Sequence, residues 1–138
     1  VFILSEIPTI GIIRSEFPET ADPDLMKASE SSIIIDDDYA AGLDKIEEYD
    51  YLKIIFYLHE AEGFKLVGPR RYGGVRGVFA SRTPYRPAAI GVTVVKLLER
   101  QGGKLRVAGL DAIDGSPVFD IKPYVTEIDN PEIKFQQS

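Results

Sequence analysis

The chain has 138 residues, enough for one domain with a buried core and too few for two. Its 44% hydrophobic and 28% charged residues exclude a disordered chain, and no apolar run approaches the roughly eighteen residues of a membrane span. There is no cysteine and a single histidine, His59, so disulfides, thiolate zinc sites, cysteine nucleophiles and a three-histidine metal site within one chain are excluded. This composition leads to the expectation of a cytoplasmic, metal-free single domain over residues 1–138.

The opening Val1-Phe2-Ile3-Leu4 has neither the basic flank nor the small-residue cleavage site of a signal peptide. Ile10-Gly-Ile-Ile-Arg-Ser15 reads as a first strand. Residues 18–32, with two prolines and many small or acidic residues, read as a mobile loop. Ile33-Ile34-Ile35 is a β-branched run that stops at three aspartates. Tyr39, Leu43, Ile46 and Tyr49 then have the spacing of one short amphipathic helix, with Asp38 as a candidate cap. Leu52 to Leu58 is dense in Ile, Phe and Tyr and predicts a buried central strand, with His59 behind it in a structural role.

A loop rich in glycine and arginine, Gly68 to Gly77, leads into Val78-Phe79-Ala80, which reads as a strand. Ile90–Glu99 and Lys104–Leu110 flank Gly102-Gly103, a hairpin signal. Asp114-Gly-Ser-Pro marks a tight turn and Val118–Lys122 another strand; the polar tail from Asn130 reads as loose. Six or seven short strands with one or two helices predict a mostly β protein, a small antiparallel barrel or rolled sheet.

Charge is unevenly spread. Net charge is −6, yet residues 65–106 hold ten Lys/Arg against one acid, Glu99, while residues 1–64 hold four against fifteen. Because screening limits exposed charges to about 8–10 Å, such a block can attract phosphate on an acidic protein. A solvated strand face is the plain alternative.

Two stretches stand out chemically. In Gly77-Val-Phe-Ala-Ser-Arg-Thr-Pro-Tyr-Arg-Pro-Ala-Ala-Ile-Gly91, Pro84 and Pro87 stiffen a loop from which Arg82, Tyr85 and Arg86 project, and which is expected to be held without hydrogen bonds of its own. In Asp111-Ala-Ile-Asp-Gly-Ser-Pro-Val-Phe-Asp-Ile-Lys-Pro-Tyr124, three aspartates stand around a turn. Asp114 suits a ligand contact or simply a turn cap, and Asp120 with Lys122 suits a surface ion pair. The Asp36–Asp38 run lacks the spacing of a calcium loop, and the glycines match neither Walker nor dinucleotide fingerprints.

The first of these stretches resembles G-V-F-A-T-R-S-P-H-R-P-N-P-I-G, and the second L-D-L-L-D-G-T-P-V-L-D-I-K-P-Y, both of the TsaA-like (TrmO) family. Ile10-Gly-Ile-Ile-Arg-Ser15 is similar to the family's opening I-G-x-[IV]-x-S, and the resemblance covers about residues 9–125. It implies a β-barrel methyltransferase, usually a homodimer, that uses S-adenosylmethionine (SAM) to methylate N6 of threonylcarbamoyl-adenosine at position 37 of certain tRNAs. It also implies that Asp114 and Tyr85 are catalytic, and that Phe79, Ala80, Ser81, Arg82, Arg86, Asp114 and Ser116 hold the cofactor. Arg70, Arg71, Tyr72 and Arg76 would hold the RNA. This chain departs from the pattern in having Tyr85 for the family's histidine and Ala88-Ala89 for Asn-Pro, and the family's Pro-Arg-Gln element after the first strand is missing, residues 18–25 offering Pro-Glu-Thr-Ala-Asp-Pro-Asp-Leu instead. A non-catalytic SAM- or nucleotide-binding module, or a methyltransferase with another substrate, are the alternative readings.

Overall fold

A computed structural model describes residues 6–19 and 21–136, so the reading of Val1–Leu4 lies outside the described residues. Among the described residues eight strands form: β1 (Gly11–Arg14), β2 (Glu30–Ile35), β3 (Tyr51–Tyr57), β4 (Val67–Pro69), β5 (Val75–Gly77), β6 (Ile90–Gln101), β7 (Lys104–Ala108) and β8 (Pro117–Pro123). Six of them close a barrel in the order β1-β2-β7-β6-β3-β8, every neighbour antiparallel. β4 and β5 pair separately as a small hairpin arm. The expected mostly β barrel is the fold that forms.

Alternation along each strand fills the barrel. Ile13, Ile33, Ile35, Leu52, Ile54, Phe56, Val95, Leu105, Val107 and Val118 point inward and are all buried. The long β6 pairs along its first half with β3 and along its second half with β7. Register shifts at Leu97/Glu99 and at Ile55/Phe56 let so small a barrel curve shut. The β6–β7 turn is the expected two-glycine hairpin, with Gly102 at φ 57°. Gly11 serves a different purpose: a Cβ there would lie 2.3 Å from the Ile34 carbonyl oxygen, so β1 and β2 meet only because it is absent.

Several expectations are corrected. Residues 18–32 contain a helix, α1 (Pro23–Lys27), because Asp22 caps the Asp24 amide at 2.8 Å, Pro23 sits in the first turn and Met26 is buried. The helix over Tyr39–Tyr49 is instead two 3₁₀ segments, Asp37–Leu43 and Ile46–Glu48, separated where Lys45 takes φ 69°. Its N-cap is Asp36, not Asp38, and of its four apolar positions only Leu43 is fully buried. β3 is buried on one face alone, since Tyr51 and Tyr57 on its other face are exposed. Val78–Ala80 is a 3₁₀ turn rather than a strand. The tail is ordered into α2 (Thr126–Asp129) and α3 (Pro131–Lys134), joined by Asn130, whose side chain accepts from the Glu132 amide at 3.0 Å.

Candidate functional site

A cleft of about 1090 Å³ opens beside the barrel, walled by β6, the 82–86 loop, the segment after β7, and α1. Each wall has a local cause. On β6, Gly91 lies opposite Phe56 and a Cβ on it would stand 2.7 Å from the ring, so glycine leaves the ring room to floor the cleft. After β7, Gly109 turns the chain at φ 92° and the next four residues belong to neither helix nor strand. Leu110 and Ala112 are buried there, while Asp111 and Ile113 alternate with them and are half-buried along the cleft.

The loop after Ala80 is fastened by its own hydrogen bonds, contrary to the reading that its prolines alone hold it. Arg86 Nη1 donates to the carbonyls of Ser81 (3.0 Å) and Thr83 (3.1 Å), and Ser81 Oγ donates to Val78 at 2.9 Å. Prolines remove donors, and the guanidinium supplies the missing ones. Arg82 reaches across to β6, where Nη2 donates to the Val92 carbonyl at 2.7 Å.

Arg82, Tyr85, Arg86 and Ser116 therefore line one cleft, brought together from two distant stretches. Ser116 is buried in its floor and donates Oγ to the Ile113 carbonyl at 2.7 Å. Phe79, Ala80 and Ser81 do not line it. Asp114 is also outside the lining: its Oδ1 accepts from the Ser15 amide at 3.0 Å, and its Oδ2 lies 3.7 Å from Arg14 Nη1. Those contacts tie the 114–116 turn to β1, as a turn residue would.

The four arm residues lie apart from the cleft lining. Arg70 donates to the carbonyls of Arg76 (3.2 Å) and Lys65 (2.7 Å), and Arg76 donates twice to Gly73 (2.9 and 3.1 Å). Both guanidiniums are thus partly spent in holding the hairpin. Arg71 lies over the Tyr72 ring at 5.6 Å and pairs with Asp22 at 3.6 Å.

Three groups in or beside the cleft were not assigned to the site by the sequence reading. Asp111 lines the cleft, and its Oδ1 accepts from Thr93 Oγ1 at 2.5 Å. Lys53 lines it too and pairs with Asp129 at 2.6 Å; that bond first, and the Val125 amide second, hold the Asp129 carboxyl below the usual range. His59 has a buried Nδ1 with no partner among the described residues, and its Nε2 lies 3.8 Å from Glu60, another lining residue. Their signal was weak because β-strand threonines and lysines are ordinary, and only closure of the barrel sets them beside the loops. Among the described residues no group of three or more His, Asp or Glu is arranged for a metal, and no helix is long and apolar enough to cross a membrane.

Residues 12–130 match the model of the tRNA-methyltransferase O N-terminal domain. An S-adenosyl-L-methionine-binding protein of Archaeoglobus fulgidus is 44% identical over 124 residues, 87% of this chain and 89% of that one. The tRNA (adenine(37)-N6)-methyltransferase of Mus musculus is 42% identical over 91 residues, 63% of this chain and 21% of that protein. Among solved structures, a crystal structure of TrmO superposes with a TM-score of 0.77 at 33% identity, covering 92% of this chain and 60% of the other. The chain thus spans about three-fifths of that crystallised protein and nearly all of the archaeal one. With the family model matching most of its length and the same barrel underneath, the chain belongs to the tRNA-methyltransferase O N-terminal domain family.

Proposed function

We propose that the chain binds SAM in the cleft and transfers its methyl group to N6 of an adenine in tRNA, in the cytoplasm. The observation that carries this is the convergence of the two family-like stretches on one cleft, with Arg82, Arg86 and Ser116 on its walls. The lining also fits the cofactor chemically. SAM carries a carboxylate, an ammonium, a sulfonium and an adenine ring. The cleft sets cations (Arg82, Lys27, Lys53) and carboxylates (Glu19, Glu60) around apolar surface from Phe56, Ala112 and Ile113. At about 1090 Å³ it exceeds the roughly 300–1,000 Å³ of most ligand pockets, leaving room for a second reactant. Bound there, SAM supplies an electrophilic methyl whose bonding electrons depart on sulfur. The protein's task is to hold an acceptor nitrogen in line with that methyl and to exclude water.

A purely SAM-binding role is favoured by Tyr85 and Ala88-Ala89, which offer fewer polar groups than the family pattern. The name of the archaeal relative states binding alone. Calorimetry and labelled transfer together separate the two readings. Arg82→Ala is expected to weaken SAM binding about ten- to a hundredfold, the range of a charge-assisted hydrogen bond. An unchanged affinity would remove the cleft from contention.

A second copy of the chain fits the outer face of β3 and β6, where Tyr51, Tyr57, Ile90, Val92 and Val94 are all exposed. Ile90, Val92 and Val94 also line the cleft, so a homodimer formed there would cover its open side. A clean monomer by sedimentation at tens of micromolar contradicts this assembly.

A further inference from the structure

We infer that Asp111, clamped by Thr93, is the group that takes the acceptor's proton during methyl transfer; this rests on the functional reading above. The identification comes from asking which carboxylate is both fixed and open to the cleft. Asp114 has both oxygens turned toward β1, on the Ser15 amide and the Arg14 guanidinium, and lies outside the lining. Glu19 and Glu60 also line the cleft, but both stand at exposed positions, Glu60 past the end of β3. Asp111 is half-buried and hydrogen-bonded through one oxygen alone, while Oδ2 has no partner among the described residues.

The clamp is unusual for its place. Thr93 sits at an inward position of β6, between Gly91 and the buried Val95, neither of which offers a polar side chain. A hydroxyl among such neighbours needs a partner, and Asp111 is the one it has. The bond joins two walls of the cleft, since Thr93 belongs to β6 and Asp111 to the segment after β7. Flanking Leu110 and Ala112, both buried, fix the backbone that carries the carboxylate. A base held at one oxygen by a strand hydroxyl, with the other oxygen free, is oriented before any acceptor arrives.

The chemistry benefits from such a group. An exocyclic adenine nitrogen shares its lone pair with the ring and is a weak neutral nucleophile. As its bond to the methyl carbon forms, its N–H bond breaks, and that electron pair stays on nitrogen. The proton passes to Asp111 Oδ2, and the sulfur–methyl pair remains on sulfur as a neutral thioether. Charge and atoms balance with no further reactant.

The test measures SAM affinity by calorimetry, folding by thermal melting, and single-turnover transfer from labelled SAM to bulk tRNA, for the whole chain. Asp111→Asn is expected to keep SAM affinity within about threefold while transfer falls by about 10²–10⁴, the span typical of removing a general base. Thr93→Val is expected to slow transfer about tenfold and Thr93→Ser to restore it, which a merely structural threonine would not do. Wild-type transfer in Asp111→Asn, or a loss confined to SAM affinity, overturns the assignment while leaving the cleft intact. If Asp111→Asn does not fold, the Thr93 pair decides, and equal rates in Thr93→Val and wild type overturn it. If the unmutated chain binds SAM but methylates nothing, or binds no SAM, the functional reading fails and this assignment with it.

Discussion

Replacing Gly91 with alanine isolates the contact on which the floor of the cleft depends. The added carbon would lie 2.7, 3.0 and 3.1 Å from three atoms of the Phe56 ring, where carbon pairs settle near 3.5–4.0 Å. The ring must therefore move by most of an ångström, yet Phe56 is buried in the barrel. Such overpacking costs about 1–3 kcal/mol. An entropy of unfolding near 2.1 cal/mol/K per residue puts a 138-residue chain at about 3.5 °C per kcal/mol, hence a fall in melting temperature of roughly 4–10 °C. Phe56→Leu on the same background shortens the obstructing group. The double variant is expected to be more stable than the sum of the single effects by about 1 kcal/mol or more. Melting and urea denaturation of the four proteins complete the cycle. Additivity within about 0.5 kcal/mol would refute the steric reasoning.

Gly11→Ala should be costlier still, above about 3 kcal/mol, because its obstacles are the Ile34 carbonyl and Ile35 Cα of the neighbouring strand and backbone cannot swing aside; denaturant titration reads this directly. Leu52→Ala, fully buried at the barrel centre, is expected to cost about 2–5 kcal/mol by the same assay. The Lys53 ammonium and the Val125 amide hold the Asp129 carboxyl below its ordinary range, so its contribution is present above that range and disappears as pH falls through the lowered folded value. Asp129→Asn should accordingly flatten the acid limb of a plot of urea midpoint against pH, and leave no pH-dependent difference below both values.

The barrel was legible where alternation and turn chemistry agreed. Ile33-Ile34-Ile35, the run from Leu52 and the Gly102-Gly103 hairpin each announced a strand or its end, and the structure bears them out. Tyr39–Tyr49 misled because helical spacing was counted without regard to Gly42 and to Lys45, which breaks the segment in a left-handed conformation. Residues 18–32 misled in the other direction: prolines and aspartates that look like loop are also what begins a helix, and Met26 supplied the buried anchor. In the cleft, motif order pointed to Arg82, Arg86 and Ser116, all of which line it. Periodicity could not tell Asp111 from Asp114, since which of two aspartates three residues apart faces the cleft depends on Gly109 turning the chain and on β1 occupying Asp114.

Nucleoside analysis by mass spectrometry bears most directly on the central claim. Bulk tRNA is incubated with the protein and SAM carrying a labelled methyl group, then digested. The account predicts label in an N6-methylated adenosine derivative, lost with Arg82→Ala at limiting SAM and regained as SAM is raised. Tight SAM binding with no label in any nucleoside would contradict it and leave a binding module in its place.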